Sequence, residues 1–320
     1  MIFPNEVKYI ILPILFFVMG LGSVYGQWDP QLSQYWRMKN YYNPAFIAET
    51  NNIESALLHR RQWEGFTDPP ISSIVSMNMP VKFFGKEHGV GIIMTNEKFG
   101  LFSNTYMMGG QYMYKFKFKN NKFLHIGIQG GMLNIDFDAA SIHIPESDYH
   151  DQNDPAKPTG SGSKTVDGGL GVAWIAPKYY VGFSVNHLWE PKFDIAEDRS
   201  AFVGRTYYLM GGYNIMLNNP LLELQPSAFL KSDAVVWQLD LTSKVEYNKM
   251  FNGGISWRKG EGFVFLLGVK IRNIDAGYSY DLNTGSALSA SNGSHELFIR
   301  YSIPLTKKRE PGPSKSIRIL

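Results

Sequence analysis

Apolar and polar residues alternate with a period of two through long stretches of this chain. Along 237–247, Trp237, Leu239, Leu241, Val245 and Tyr247 share one face, while Gln238, Asp240, Thr242, Lys244 and Glu246 share the other. Along 106–118, Tyr106, Met108, Tyr112, Tyr114, Phe116 and Phe118 oppose Gln111, Lys115 and Lys117. Near the end, Leu297, Ile299, Tyr301 and Ile303 oppose Arg300 and Ser302. Successive side chains of a strand point to opposite sides, so the pattern predicts sheet with one apolar and one polar face. About fourteen such segments run through 53–63, 71–81, 88–98, 102–118, 122–138, 165–176, 179–190, 206–217, 221–231, 236–248, 250–258, 262–272, 274–282 and 293–305. Asn120-Asn121, Pro177-Lys178, Asn218-Asn219-Pro220 and Asn248-Lys249 read as tight turns, separated by longer links at 139–164, 191–205 and 283–292.

A soluble sandwich alternates too, but its strands are shorter. Here many segments exceed ten residues, and aromatics crowd their ends, as in Tyr179-Tyr180 and Tyr207-Tyr208. Charged residues make up 18% of the chain and aromatics 14%, against about 25% charged in an average soluble domain. The expected fold is all-β: a transmembrane antiparallel β-barrel of about 14 strands, with outer-membrane lipid outside and a polar lumen within. Short periplasmic turns alternate with long external loops in such barrels, and an even strand count returns both chain ends to the periplasm. A net charge of +3 is too small to call for nucleic acid, and the absence of Cys excludes disulfides and thiolate metal sites.

Residues 1–26 read as a Sec signal peptide. Lys8 is followed by the apolar run 10–21 and by small residues before Gln27. An uncleaved anchor is the alternative, though the run is short for a span and holds Pro13. Residues 27–52 carry Trp28, Tyr35, Trp36, Tyr41 and Tyr42 without strand periodicity, and are expected to form a plug-like segment entering the barrel from the periplasmic mouth. The barrel then occupies 53–305, and 306–320 is a basic periplasmic tail. Arg61 is expected to pair with lumen carboxylates, and 63–70 to reach the external rim. Gly-Gly pairs at 109–110, 130–131, 168–169, 211–212 and 253–254 suit either wall curvature or close packing against something inside.

Catalytic signatures are absent from the sequence, and no cofactor is expected. His295-Glu296 lacks the second His of a zinc-protease helix, 160–165 fails the phosphate-loop spacing, and 182–186 lacks the closing Gly of a nucleophile elbow. His143, Glu146, Asp148, His150 and Asp151 offer ligands for a divalent cation, but no fixed spacing organises them; polar loop chemistry is the alternative.

Ordered blocks do carry a resemblance. Asp29-Pro30-Gln31-x-Ser33-Gln34-Tyr35, then Tyr42-Asn43-Pro44-Ala45, then Arg61-Gln62-Trp63-x-Gly65-Phe66 lead the chain. Tyr280-Asp281 and His295-Glu296 lie near its end. Together they resemble the PorP/SprF family of type IX secretion outer-membrane proteins. The resemblance implies a non-enzymatic barrel of the Bacteroidota secretion and gliding-motility apparatus. It would support export or surface anchoring of large adhesins bearing the family's C-terminal sorting domain, beside periplasmic and lipoprotein ring components. The residues named in these blocks are then its plug and partner contacts. The alternative is a FadL-like channel for hydrophobic compounds, which shares the strand number and an N-terminal plug.

Overall fold

The computed structural model describes residues 29–99, 103–137, 163–196, 199–285 and 291–305. The expected signal peptide, the candidate cation ligands at 143–151 and the basic tail lie outside them. Seventeen strands occur among the described residues: β1 (Asn52–Arg61), β2 (Ile71–Phe83), β3 (Lys86–Phe99), β4 (Ser103–Lys117), β5 (Phe123–Phe137), β6 (Ser163–Ile175), β7 (Tyr179–Asn186), β8 (Lys192–Ala196), β9 (Arg199–Phe202), β10 (Thr206–Tyr213), β11 (Ile215–Met216), β12 (Leu222–Ser232), β13 (Trp237–Tyr247), β14 (Phe251–Arg258), β15 (Gly262–Ile271), β16 (Ile274–Asn283) and β17 (Ser294–Pro304).

Fourteen of these close into one antiparallel barrel. Each pairs with its sequence neighbours, β10 reaches β12 directly, and β1 closes on β17 through Asn52↔Pro304 to Arg61↔His295. β8 and β9 form a separate hairpin, and β11 is a two-residue extension beside β12. Closure leaves no unpaired edge, the condition for sheet in lipid. A ten-residue strand tilted by about 40° rises about 25 Å, the height of the usual apolar band.

The two faces of the wall are inverted relative to a soluble protein. Leu57, Met77, Ile92, Ile128, Leu241, Phe265, Leu297 and Ile299 point outward and are exposed, whereas Arg60, Ser76, Gln111, Asp240, Ser279 and Glu296 point inward and are buried. The turns also sort by end. At one end, here the turn end, Phe84-Gly85, Asn120-Asn121 and Asn248-Lys249 pair two positive-φ residues in tight reversals whose twist matches the flanking strands. The β1 start and β17 end lie there too. The other, loop end carries 62–70, 187–196, 199–205, 284–285 and 291–293. Within it Phe193 and Val203 turn into the barrel and pack with Leu133, Ile135 and Met107, covering this side of the lumen.

Candidate functional site: the plug and its seat

Residues 29–48 lie inside the barrel, and nearly every side chain is buried. The backbone makes two short helical turns, α1 (Lys39–Tyr42) and a 3-10 turn at Pro44–Phe46, both too short to stand without tertiary contacts. Asn43 starts the second: its side chain accepts from Ala45 N at 2.9 Å, and Pro44 sits at the first helical position, where no N–H is needed. The Tyr42 hydroxyl donates to Pro30 O at 3.1 Å and accepts from Leu32 N at 3.0 Å, folding the segment back on itself.

The segment was expected to begin at the turn end. It begins at the other. Asp29 lies beside His187, Tyr208 and Lys231, all at or near the loop ends of their elements. His187 Nε2 is 3.1 Å from Asp29, and its Nδ1 is 2.7 Å from Asp167. Burial alone would push the His187 imidazole down, but the Asp29 charge and hydrogen bonds to Asp167 and Asp29 outweigh it and raise it to about 10. Burial likewise pushes Asp29 up, yet the charge and hydrogen bond of His187, the Tyr208 hydroxyl and Lys231 bring it down to about 2. The pair is therefore an ion pair across the neutral range. The charges that draw the first residues of the plug lie near the loop end, which is the physical reason for its direction.

One turn further on is a second, denser cluster. Ser33 N and Gln34 N each donate to the Glu296 carboxylate at 2.8 Å, and Ser33 Oγ donates to Asp281 at 2.6 Å. Arg60 donates to Asp281 at 2.7 Å, approaches Glu296 at 3.4 Å and donates to Ser33 Oγ at 2.6 Å. Arg258 ties Asp240, Asp281 and Glu261 together, each at 3.0 Å. Two fully buried guanidinium groups thus hold four carboxylates from different strands and loops, and Ser33-Gln34 is part of the same network.

Below the charges the seat turns apolar. Tyr35 stacks on Phe229 at 4.9 Å and its hydroxyl lies 2.8 Å from Ser227; Tyr42 packs on Tyr208 and Phe229. Leu58, Ile74, Ile93, Met210 and Phe298 complete this cluster. The lumen is therefore mixed rather than polar throughout, because five aromatic rings of the plug need an apolar surface. At the turn end Arg37 pairs with Asp275, Asn43 donates to Val172 O and Phe183 O, and Ala45 O accepts from His125. The wall makes room here by losing side chains. A Cβ on Gly171 would strike the Asn43 side chain, and one on Gly127 would strike the Pro44 backbone. These single inward glycines form the seat, while the Gly109-Gly110 and Gly130-Gly131 pairs lie opposite each other within the wall and do not touch the plug.

Not every residue singled out from sequence joins this site. Asp29, Ser33, Gln34, Tyr35, Tyr42, Asn43, Pro44, Ala45, Asp281 and Glu296 come together, with Pro30 and Gln31 buried among them. Arg61 does not: it points outward, about half exposed, and pairs with Glu64 at 2.6 Å. Its neighbour Arg60 takes the expected lumen role, since a one-residue step on a strand reverses the face. Tyr280 and His295 also face outward, ring to ring at 5.2 Å. Gln62, Trp63, Gly65 and Phe66 form the loop-end rim beside 292–294, through Glu64 N to Gly293 O, Asn292 N to Glu64 O and Trp63 N to Ser294 Oγ. Arg258, His187, Asp167, Lys231 and the glycines at 127 and 171 were missed; inward strand phase was the signal available for those on strands.

A family model described as type IX secretion system membrane protein PorP/SprF matches residues 24–301. No curated protein matches the chain. Solved structures with a similar course include the Acinetobacter baumannii outer membrane protein Omp33, 7% identical with a TM-score of 0.43 over 79% of this chain and 98% of that one. A Pseudomonas aeruginosa FadL homologue is 11% identical with a TM-score of 0.44, covering 80% and 89%.

Proposed function

Because the chain belongs to the PorP/SprF family, we propose that it is a non-enzymatic outer-membrane barrel of the type IX secretion and gliding apparatus that supports export or surface anchoring of specific large adhesins. The family match over 24–301 is the observation that carries this reading. The plug supports a docking role over a conducting one. Residues 29–48 occupy the barrel interior with nearly every side chain buried, and Phe193 and Val203 pack inward at the loop end. A large adhesin therefore passes beside this barrel, and the contacts with ring components and cargo fall on its two rims. In this reading the turn end faces the periplasm and the rim at 62–70 faces outward, with the chain exported by a Sec signal.

A FadL-like channel would need apolar space within the lumen. Among the described residues, two apolar grooves of about 760 and 900 Å³ are lined largely by outward residues, such as Leu57, Leu267 and Leu297 for one and Val181, Leu241 and Ile255 for the other, and so lie on the lipid side of the wall. The test is deletion of the gene followed by surface labelling of secreted adhesins, with affinity purification of the tagged barrel from native membranes. Loss of one adhesin from the surface and recovery of type IX components with the barrel is the expected result. Unchanged adhesin export, with no type IX component recovered, overturns the proposal.

A further inference from the structure

Neither the plug nor the loop-end cover uses the charges on the turn-end rim. Three consecutive turns, β2/β3, β4/β5 and β6/β7, bring Lys82, Lys86, Lys117, Lys119, Lys122 and Lys178 to one sector of that rim. All are exposed except Lys122, which is half-buried, and among the described residues none has a carboxylate within ion-pair distance. Glu87 is the single acid in these turns, and Lys115 holds it at 3.3 Å. Such an accumulation of one sign repels itself unless a counter-charge lies against it.

The aromatics say which kind. Phe83, Phe116 and Phe118 face outward at the ends of the same strands, continuing the apolar band, and Phe84 stands fully exposed at a turn tip. Lysines interleaved with rings at the edge of an apolar band lie at headgroup depth, where the stem stays with the acyl region and the ammonium reaches the phosphate. Over the opposite rim several cations are already engaged, Lys98 with Asp68, Arg61 with Glu64 and Lys259 over the Trp237 ring, while the exposed Lys164 and Lys192 stand apart from any such group.

We propose that the β2–β7 sector of the turn-end rim binds the headgroups of anionic phospholipids, fixing how the barrel sits in the periplasmic leaflet. The proposal rests on the turn end facing the periplasm. The experiment is native mass spectrometry of the full chain in nonionic detergent, titrated with phosphatidylglycerol, phosphatidylethanolamine or phosphatidylcholine. Phosphatidylglycerol should be retained at least about fivefold over phosphatidylcholine, the factor expected from a single lysine at an anionic surface. Replacing the six lysines with Gln should abolish the preference, and K98Q/K259Q should keep it, with folding of each variant checked by its heat-modifiable gel mobility. Equal retention of the two lipids by the native chain, or a preference that survives the six substitutions, overturns the proposal. So does binding of polyglutamate with no lipid preference, which makes the rim a protein-docking surface. The chain has no Cys, so labelling N120C and D233C in intact cells tests the orientation separately. Labelling at the turn rather than the loop would overturn the periplasmic assignment on its own, whatever the lipid result.

Discussion

Replacing Arg60 by Met should release the first half of the plug, whereas the same change at Arg61 should do almost nothing. Arg60 is 1% exposed and faces two carboxylates, Asp281 at 2.7 Å and Glu296 at 3.4 Å. In Arg60→Met, Asp281 keeps Arg258 at 3.0 Å, but Glu296 is left with no cation and only the Ser33 and Gln34 amides. Stranding one buried charge costs about 3–5 kcal/mol. That is an increase of roughly 10² to 10⁴-fold in how often this part of the plug opens. Arg61, one residue on, is 48% exposed and holds only Glu64, a surface pair worth about 0–1 kcal/mol. The readout is hydrogen exchange at Ser33 and Gln34, whose N–H groups donate to Glu296. Arg60→Met should remove their protection while the strand amides stay protected, and Arg61→Met should leave both unchanged. Adding Glu296→Leu should restore only part, because the charge is balanced but two plug amides lose their acceptor, at about 1–3 kcal/mol each. If Ser33 and Gln34 exchange alike in both Arg variants, the buried network does not hold the plug.

Three further outcomes follow from the same seat. Gly171→Leu should displace Asn43-Pro44 and expose 43–48 to limited proteolysis, while Gly110→Leu, whose Cβ meets nothing, should not. Tyr42→Phe should lower the thermal midpoint by the equivalent of about 1–3 kcal/mol, since Leu32 N and Pro30 O lose their buried partner together. The Asp29–His187 pair gives a defined pH course. His187 is raised from 6.5 to about 10, so its contribution is complete below 6.5 and is lost as pH rises through about 10; Asp29 is lowered from 3.8 to about 2, so its contribution is complete above 3.8 and is lost as pH falls through about 2. Thermal midpoints from pH 5 to 10 should decline in the native chain and run flatter in His187→Asn.

Strand number, strand positions and inward phase were legible because lipid and lumen are two different solvents, and a period of two records both along every strand. The 237–247 pattern names Asp240 as inward without any structure. β1 was not legible in this way. Its inward set (Ala56, Leu58, Arg60) and outward set (Leu57, His59, Arg61) each mix apolar and basic residues, because the inner set packs on plug aromatics and the outer carries a His–Ser contact at 2.9 Å. Two adjacent arginines on such a strand cannot be assigned from pattern alone. The glycine seat was hidden for a related reason. A missing side chain marks a wall bend and a wall contact alike, and only the position of Asn43-Pro44 against Gly127 and Gly171 separates them.

The plug matches its seat in three successive zones, and this argues for a fixed element. Its charged and polar start meets the inward ions near the loop end, its rings meet the apolar middle, and its Asn-Pro-Ala turn meets the wall glycines near the turn end. Sliding the segment toward the loop end would place Tyr35 against carboxylates, and sliding it the other way would place Asp29 against Phe229, so either shift costs buried polar or ionic contacts. Opening it requires breaking two buried ionic clusters together with the aromatic packing. A channel whose plug must move on each passage would hold it more loosely. That fits the proposal that this barrel works through its rims, where 62–70 joins 292–294 on one side and the lysine turns lie on the other.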